Sequence, residues 1–205
     1  MLFGLYVLTD NQFFPYSQWA NRVEDAIIGG ANIIQLRDKQ LSDDELYNHA
    51  ITIQEVCRFH NVPLIVNDRV SLAKKINADG IHIGKDDEQI RAVRNYLGKN
   101  FIIGASCYRN IYSAVMAQRY GADYVAFGSL FSSSTKPGAP RCSLAMLREA
   151  KNILQTPVCA IGGINQKNIQ SVLSTGVDMI AISHAIFNAN KPQLAANKLA
   201  QPFII

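Results

Sequence analysis

Short apolar runs, each closed by small or polar residues, recur along the whole chain. Four of them follow a repeated lead-in. Gly30-Ala31-Asn32 precedes IIQLR, Asn77-Ala78-Asp79-Gly80 precedes IHIG, Gly121-Ala122-Asp123 precedes YVAFG, and Gly176-Val177-Asp178 precedes MIAIS. Taken at positions 31, 78, 122 and 177, the repeats lie 47, 44 and 55 residues apart. A parallel crossover needs about a dozen residues or more, so each interval suits two βα units. The missing units are present as LYVLTD (5–10), PLIVND (63–68), FIIGAS (101–106) and PVCAIGG (157–163). Eight strands result, alternating with helical stretches such as 42–60, 87–97 and 165–173. Ser42 with Glu45 three residues on is a capping-box pattern, and Asn165 is placed to cap the helix that follows it. At roughly 26 residues per strand, the pattern predicts an α/β chain folded as a single (β/α)8 TIM barrel, with residues 1–205 as one domain. An open doubly wound sheet more usually offers fewer strands and a G-x-G-x-x-G turn after the first, and LYVLTDNQF has no such turn.

In such a barrel the functional residues gather where the strands end and the βα loops begin. In Ile33–Lys39 the period of two puts Gln35, Arg37 and Lys39 on one side, a polar column ending in two cations. An anion site explains it; a structural ion pair is the alternative. The third strand ends in Asn67-Asp68, and Asp86-Asp87 follow the fourth. Carboxylates beside cations suit a polyphosphate bound with Mg²⁺, which takes one or two carboxylates with phosphate oxygens and water. An acidic residue that merely complements a helix N-terminus is the plainer reading for one of that pair. The fifth strand ends at Ser106, and the longest connection, 129–141, carries several hydroxyls and Lys136. It reads as a cover closing on a phosphate, or as an idle surface loop. Gly162-Gly163 and Ser183 close the last two strands, the frequent phosphate site of such barrels. His82 reads as a hydrogen-bonded interior residue, His49 and His60 as surface residues, and His184 has no third residue for a triad.

Composition narrows the classes. Hydrophobic residues make up 48% and charged residues 18%, which excludes a disordered chain. Lys+Arg number 20 against 16 Asp+Glu, a net charge of +4 with no clustered basic block, so nucleic acid is not an expected partner. Cys57, Cys107, Cys142 and Cys159 are too widely spaced for a zinc site or a small disulfide scaffold and read as buried, reduced thiols. The apolar N-terminus lacks the basic region and cleavage site of a signal peptide, and no apolar run is long enough to span a membrane. The expectation is a cytoplasmic protein with small-molecule partners and no membrane or nucleic-acid partner. A homo-oligomer is left open.

The motifs QLRDK (35–39), VNDR (66–69), DGIHIGKDD (79–87), IGAS (103–106), FSSSTKPGAP (131–140), AIGGI (160–164) and AIS (181–183) together resemble the thiamine-phosphate synthase family over nearly the whole chain. The resemblance implies a (β/α)8 barrel that joins 4-amino-2-methyl-5-hydroxymethylpyrimidine pyrophosphate to 4-methyl-5-(2-phosphoethyl)thiazole, giving thiamine monophosphate and pyrophosphate. Carried over by position, Gln35, Leu36, Arg37, Asp38, Lys39, Asn67, Ser106 and Lys136 would bind the pyrimidine pyrophosphate. Asp68 and Asp87 would hold Mg²⁺. Ser133, Ser134, Thr135, Gly163, Ile182 and Ser183 would bind the thiazole phosphate. The implied chemistry loses pyrophosphate first and lets the thiazole nitrogen attack a ring-stabilised cation, with Arg37, Lys39 and Lys136 as the catalytic cations. Two positions depart from the family pattern: Asp38 stands where Glu is common, and Ser133 where Thr is usual. A thiazole tautomerase-like barrel would have little need of Asp68, Asp87 and Lys136. A non-catalytic phosphate-binding barrel could lose the cationic site. A Schiff-base aldolase would need a lysine inside a strand, and none is there.

Overall fold

All eight expected strands form: β1 (Gly4–Leu8), β2 (Ala31–Leu36), β3 (Leu64–Asn67), β4 (Gly80–Ile83), β5 (Ile102–Tyr108), β6 (Tyr124–Phe127), β7 (Val158–Ile161) and β8 (Met179–Ile182). They make a closed parallel barrel in the order β1 to β8. The computed structural model describes residues 2–12, 14–84, 87–132 and 141–203, with 87 and 88 described by backbone alone. The helices between the strands are α1 (Trp19–Ile28), α2 (Asp43–Phe59), α3 (Val70–Ile76), α4 (Asp87–Leu97), α5 (Ile111–Arg119), α6 (Leu144–Ile153) and α7 (Ile169–Leu173). After β8 come α8 (His184–Phe187) and α9 (Pro192–Ala200). Nearly every strand residue is buried, as expected of parallel strands covered on both faces.

The repeated lead-in has a physical reason. Asp79, Asp123 and Asp178 each open an even-numbered strand and clamp the start of the strand before it. Asp79 Oδ2 accepts from the Leu64 N–H at 2.8 Å, while the Asp79 N–H donates to Leu64 O at 3.1 Å. Asp123 does the same to Ile103, at 2.7 and 2.7 Å, and Asp178 to Val158, at 2.7 and 3.0 Å. Asn32 Oδ1 supplies the side-chain half of this clamp to Leu5 N at 2.9 Å. Two of the carboxylates also meet cations: Arg94 reaches Asp123 at 2.6 Å and Lys151 reaches Asp178 at 2.6 Å. Leaving the Val158 N–H without its acceptor should cost about 1–3 kcal/mol. Asp178→Ala is therefore expected to lower the unfolding free energy by that amount, read as a lower urea midpoint at unchanged slope, without changing substrate affinities. A midpoint equal to that of the parent chain would reject the clamp.

The chain divides into two compact units, Gly4–Ile81 with Ser183–Ile205, and Met1–Phe3 with His82–Ile182. In the first, α1 packs against α2 and α9. Trp19, Val23, Ala26 and Ile27 form the buried face of α1, and Leu46, Ala50, Ile53 and Cys57 that of α2, both at helical spacing. The capping box of α2 is present: Ser42 Oγ accepts from Glu45 N, and Glu45 Oε2 accepts from Ser42 N at 2.8 Å. The Ser42 hydroxyl and then its N–H hold the Glu45 carboxyl below its usual range. A lowered folded-state value means that this contribution is present above the unfolded value and lost as the pH falls through the folded one. In the second unit, β5 to β8 pair in sequence, and α5 and α6 bury Ala114, Ala117, Leu147 and Ala150.

One helix differs from expectation. The 165–173 stretch forms a helix only at Ile169–Leu173, and Asn165 does not cap it. Asn165 Oδ1 instead accepts from Lys167 N at 2.9 Å, and Asn168 Oδ1 accepts from Asn165 N at 2.8 Å. These local side-chain bonds compete with the first helical turn and convert residues 165–168 into a turn. The four cysteines are buried and unbridged, and burial pushes the Cys57 thiol up to about 12 and Cys142 up to about 11. Both stay protonated at neutral pH. Among the described residues no helix is long and apolar enough to cross a membrane.

Candidate active site

In the first unit the strand ends are fixed by backbone and hydroxyl bonds. Thr9 extends the pairing of β1 with β2 by donating its N–H to Gln35 O at 2.9 Å. The Thr9 hydroxyl then accepts from Arg37 N at 2.8 Å and donates to Arg37 O at 3.1 Å. Arg37 is held at both backbone groups while its side chain stays half-exposed. Gln35 is buried inside β2 and donates from Nε2 to the Tyr6 hydroxyl at 2.7 Å. The expected polar column holds only as far as the strand does. β2 ends at Leu36, so exposed Lys39 lies in the following bend, and the loop rather than the pleat sets its place.

Asp38, expected among the groups that bind pyrophosphate, turns its carboxylate inward instead. Its side chain is fully buried. Oδ1 accepts from Gln40 N at 2.8 Å and Leu41 N at 2.7 Å, while Oδ2 accepts from the Tyr16 hydroxyl at 2.9 Å and Asn11 Nδ2 at 2.7 Å. Burial raises the Tyr16 phenol above its usual value, and the hydrogen bond to Asp38 adds to the rise, so Tyr16 remains a donor. Four acceptor positions are filled, and Asp38 shapes the loop that carries Arg37 and Lys39.

Beside β2 lies β3, with Leu36 level with Val66. Asn67 is buried at its end and donates Nδ2 to Asp68 Oδ2 at 2.7 Å. Asp68 is exposed and sits at φ +62°, with Arg69 N bonded across it to Asn67 O at 2.8 Å. Left-handed backbone costs most side chains on the order of 1 kcal/mol or more, and Asp and Asn adopt it most readily among non-glycine residues. The turn presents an exposed carboxylate whose Oδ2 takes the Asn67 bond. Near α8, Ser183 Oγ donates to Asp10 Oδ2 at 3.2 Å, and Asp10 is itself almost fully buried.

In the second unit, Ser106 near the end of β5 lies 2.8 Å from His82 Nε2, and His82 Nδ1 lies 2.9 Å from the Tyr124 hydroxyl. The interior, hydrogen-bonded role expected for His82 is what the structure shows. Gly104 makes room for this chain, because a Cβ there would collide with the Tyr124 ring. Gly162 and Gly163, at φ +107° and +65°, are glycines for a related reason. A Cβ on either would strike residues 129–132, and that segment donates to the end of β7 and the turn after it through Leu130 N to Ile161 O (3.1 Å) and Phe131 N to Gly162 O (3.0 Å). Ile182 is buried at the end of β8. Arg141 donates to the Ser132 hydroxyl, and Cys142 N to Ser129 O at 2.9 Å, so the two ends of the long connection meet. Ser133, Ser134, Thr135 and Lys136 lie outside the described residues, as does Asp86. Asp87 begins α4, and its side chain also lies outside them.

A family model described as thiamine monophosphate synthase matches residues 5–186. The chain belongs to the thiamine monophosphate synthase family. Thiamine-phosphate synthase of Nitrosococcus oceani is 42% identical over 200 residues, 98% of this chain and 92% of that one. The Clostridium novyi thiamine-phosphate synthase is 43% identical over 199 residues, 97% of each chain. A solved structure, thiamine phosphate pyrophosphorylase from Pyrococcus furiosus, matches with a TM-score of 0.88 at 36% identity, over 97% of this chain and 94% of that one. The chain is a transferase of thiamine biosynthesis: it condenses the pyrimidine pyrophosphate with the thiazole phosphate to give thiamine monophosphate and pyrophosphate. The tautomerase and non-catalytic readings fall away.

Thr9, Asp10, Asn11, Tyr16 and Arg69 support this synthase's strand ends and were not singled out from sequence. Thr9 and Asp10 close the LYVLTD run and Arg69 closes VNDR, so the signal was their place after a strand.

Proposed function

We propose that the synthase expels pyrophosphate by meeting its growing charge with Arg37, Lys39 and Lys136, and that Asp68 and Asp87 would hold a Mg²⁺ ion beside them. The observation that carries this reading is the pairing of β2 with β3, which sets Arg37 and Asn67-Asp68 at the ends of neighbouring strands of one unit. The donor chemistry fits the metal. Asp68 offers an exposed carboxylate oxygen, and Mg²⁺ needs only one or two such ligands when phosphate and water complete its shell. When bound, the ion supplies compact positive charge to the leaving group.

The chain's own groups do the rest. Arg37, anchored at N and O by Thr9, offers a planar fork suited to two phosphate oxygens, and Lys39 offers a point charge. Gln35, Leu36, Asn67 and Ser106 bind the pyrimidine pyrophosphate, Ser106 with its hydroxyl steadied by His82. Asp38 acts through the loop rather than by contact. Ser133, Ser134, Thr135, Gly163, Ile182 and Ser183 bind the thiazole phosphate. The pyrimidine ring carries the cation, the thiazole nitrogen attacks it, and no protein nucleophile is required. Holding the two rings in contact removes much of the entropic barrier. The reaction belongs in the cytoplasm on this reading.

Chelation tests the metal. Enzyme dialysed against EDTA is expected to stop releasing pyrophosphate and to regain full activity with added Mg²⁺. Turnover undiminished in the chelator would contradict the reading.

A further inference from the structure

Arg69 has no part in the scheme above, yet it touches both turns that the scheme depends on. Its Nη1 donates to Asp43 Oδ1 at 2.6 Å, and its Nη2 donates to Leu41 O at 2.6 Å and Asp38 O at 3.1 Å. These acceptors lie along the loop from β2 to α2, the one that carries Arg37 and Lys39. Arg69 itself follows Asp68 directly, and its N–H closes the turn that presents the Asp68 carboxylate. The side chain is 18% exposed, and its charge is met by Asp43 and by Asp38 Oδ1 at 3.7 Å. It is thus a neutralised, directed cation and not a reserve for binding anions.

The loop is fastened on two sides. Toward β1, the Asp38 carboxylate joins it to Asn11 and Tyr16. Toward β3, the Arg69 guanidinium joins it to the Asp68 turn. Three bonds from one planar group fix direction as well as distance, which an ammonium on a flexible stem does not do.

We propose that Arg69 is a positioning residue that sets the spacing between Asp68 and the Arg37–Lys39 pair, so that one pyrophosphate meets both. This rests on the roles given above to Arg37, Lys39 and Asp68. The substrate whose binding it governs is therefore the diphosphate, with its divalent cation, and not the thiazole phosphate.

The test compares Arg69→Met, Arg69→Lys and Asp43→Asn. Steady-state kinetics are run well below each variant's melting temperature, and calorimetry measures binding of inorganic pyrophosphate with Mg²⁺. Groups that orient metal and phosphate ligands typically matter by about 10–100-fold, so Arg69→Met should raise KM for the pyrimidine pyrophosphate and weaken pyrophosphate binding by such a factor. KM for the thiazole phosphate should stay unchanged. Arg69→Lys should recover only part of the loss, and Asp43→Asn should give a milder form of it. Asp43 is half-exposed at the first position of α2, so this variant keeps the proposal testable if Arg69→Met does not fold. Equal losses for both substrates, or a lower melting temperature with unchanged pyrophosphate binding, would overturn the proposal. Arg37→Ala in the same calorimetry separates the two claims. If it leaves pyrophosphate binding intact, the underlying assignment fails; if it weakens binding while Arg69→Met does not, only the positioning role fails.

Discussion

Asp68→Asn is expected to reduce turnover by on the order of a hundredfold or more, because the substitution keeps the shape of the side chain and removes the charge that would hold the metal. Folding should be nearly unaffected. Asp68 is exposed, and among the described residues its side chain accepts from Asn67, a bond that an Asn carbonyl oxygen can still accept. The backbone also favours the change, since Asn tolerates the left-handed φ of +62° well. A drop in turnover with an unaltered melting temperature, partly offset by raising the Mg²⁺ concentration, is the expected pattern. Normal turnover at limiting Mg²⁺ would remove Asp68 from the site.

Arg37→Ala is expected to cost about 10²–10³-fold in kcat, the scale for losing one preorganised donor to developing charge. Arg37→Lys should restore only part of it, because a point charge replaces a two-pronged contact. The backbone bonds to Thr9 are independent of the side chain, so the position of the loop is retained in both variants. A change in KM alone, with kcat kept, would mean that Arg37 binds the ground state and transition state equally and does not assist departure.

The barrel was legible because parallel strands are apolar on both faces and leave short, unbroken runs that a repeat can align. The Asp79, Asp123 and Asp178 lead-ins were visible as a repeat. That each one clamps the N–H and C=O of the preceding strand required the fold. Candidate residues were sought at strand ends: Asn67 ends β3, Arg37 and Asp68 directly follow β2 and β3, and β5 runs two residues past Ser106. What the sequence does not carry is side-chain direction. Asp38 sits in a row of polar residues, yet its carboxylate turns back on Gln40, Leu41, Tyr16 and Asn11. The period-two argument for Lys39 failed because β2 stops at Leu36. Asn165 looked like a helix cap, but an Asn three residues on offered a competing local bond. Arg69 escaped notice because its partners lie 26 to 31 positions earlier.

The most direct measurement of the central claim is a crystal structure of the enzyme with thiamine monophosphate, pyrophosphate and Mg²⁺ bound. Pyrophosphate contacting Arg37 and Lys39, with the metal joining it to Asp68, is the result the account predicts. Pyrophosphate bound away from those side chains, or a metal that leaves Asp68 untouched, would contradict it.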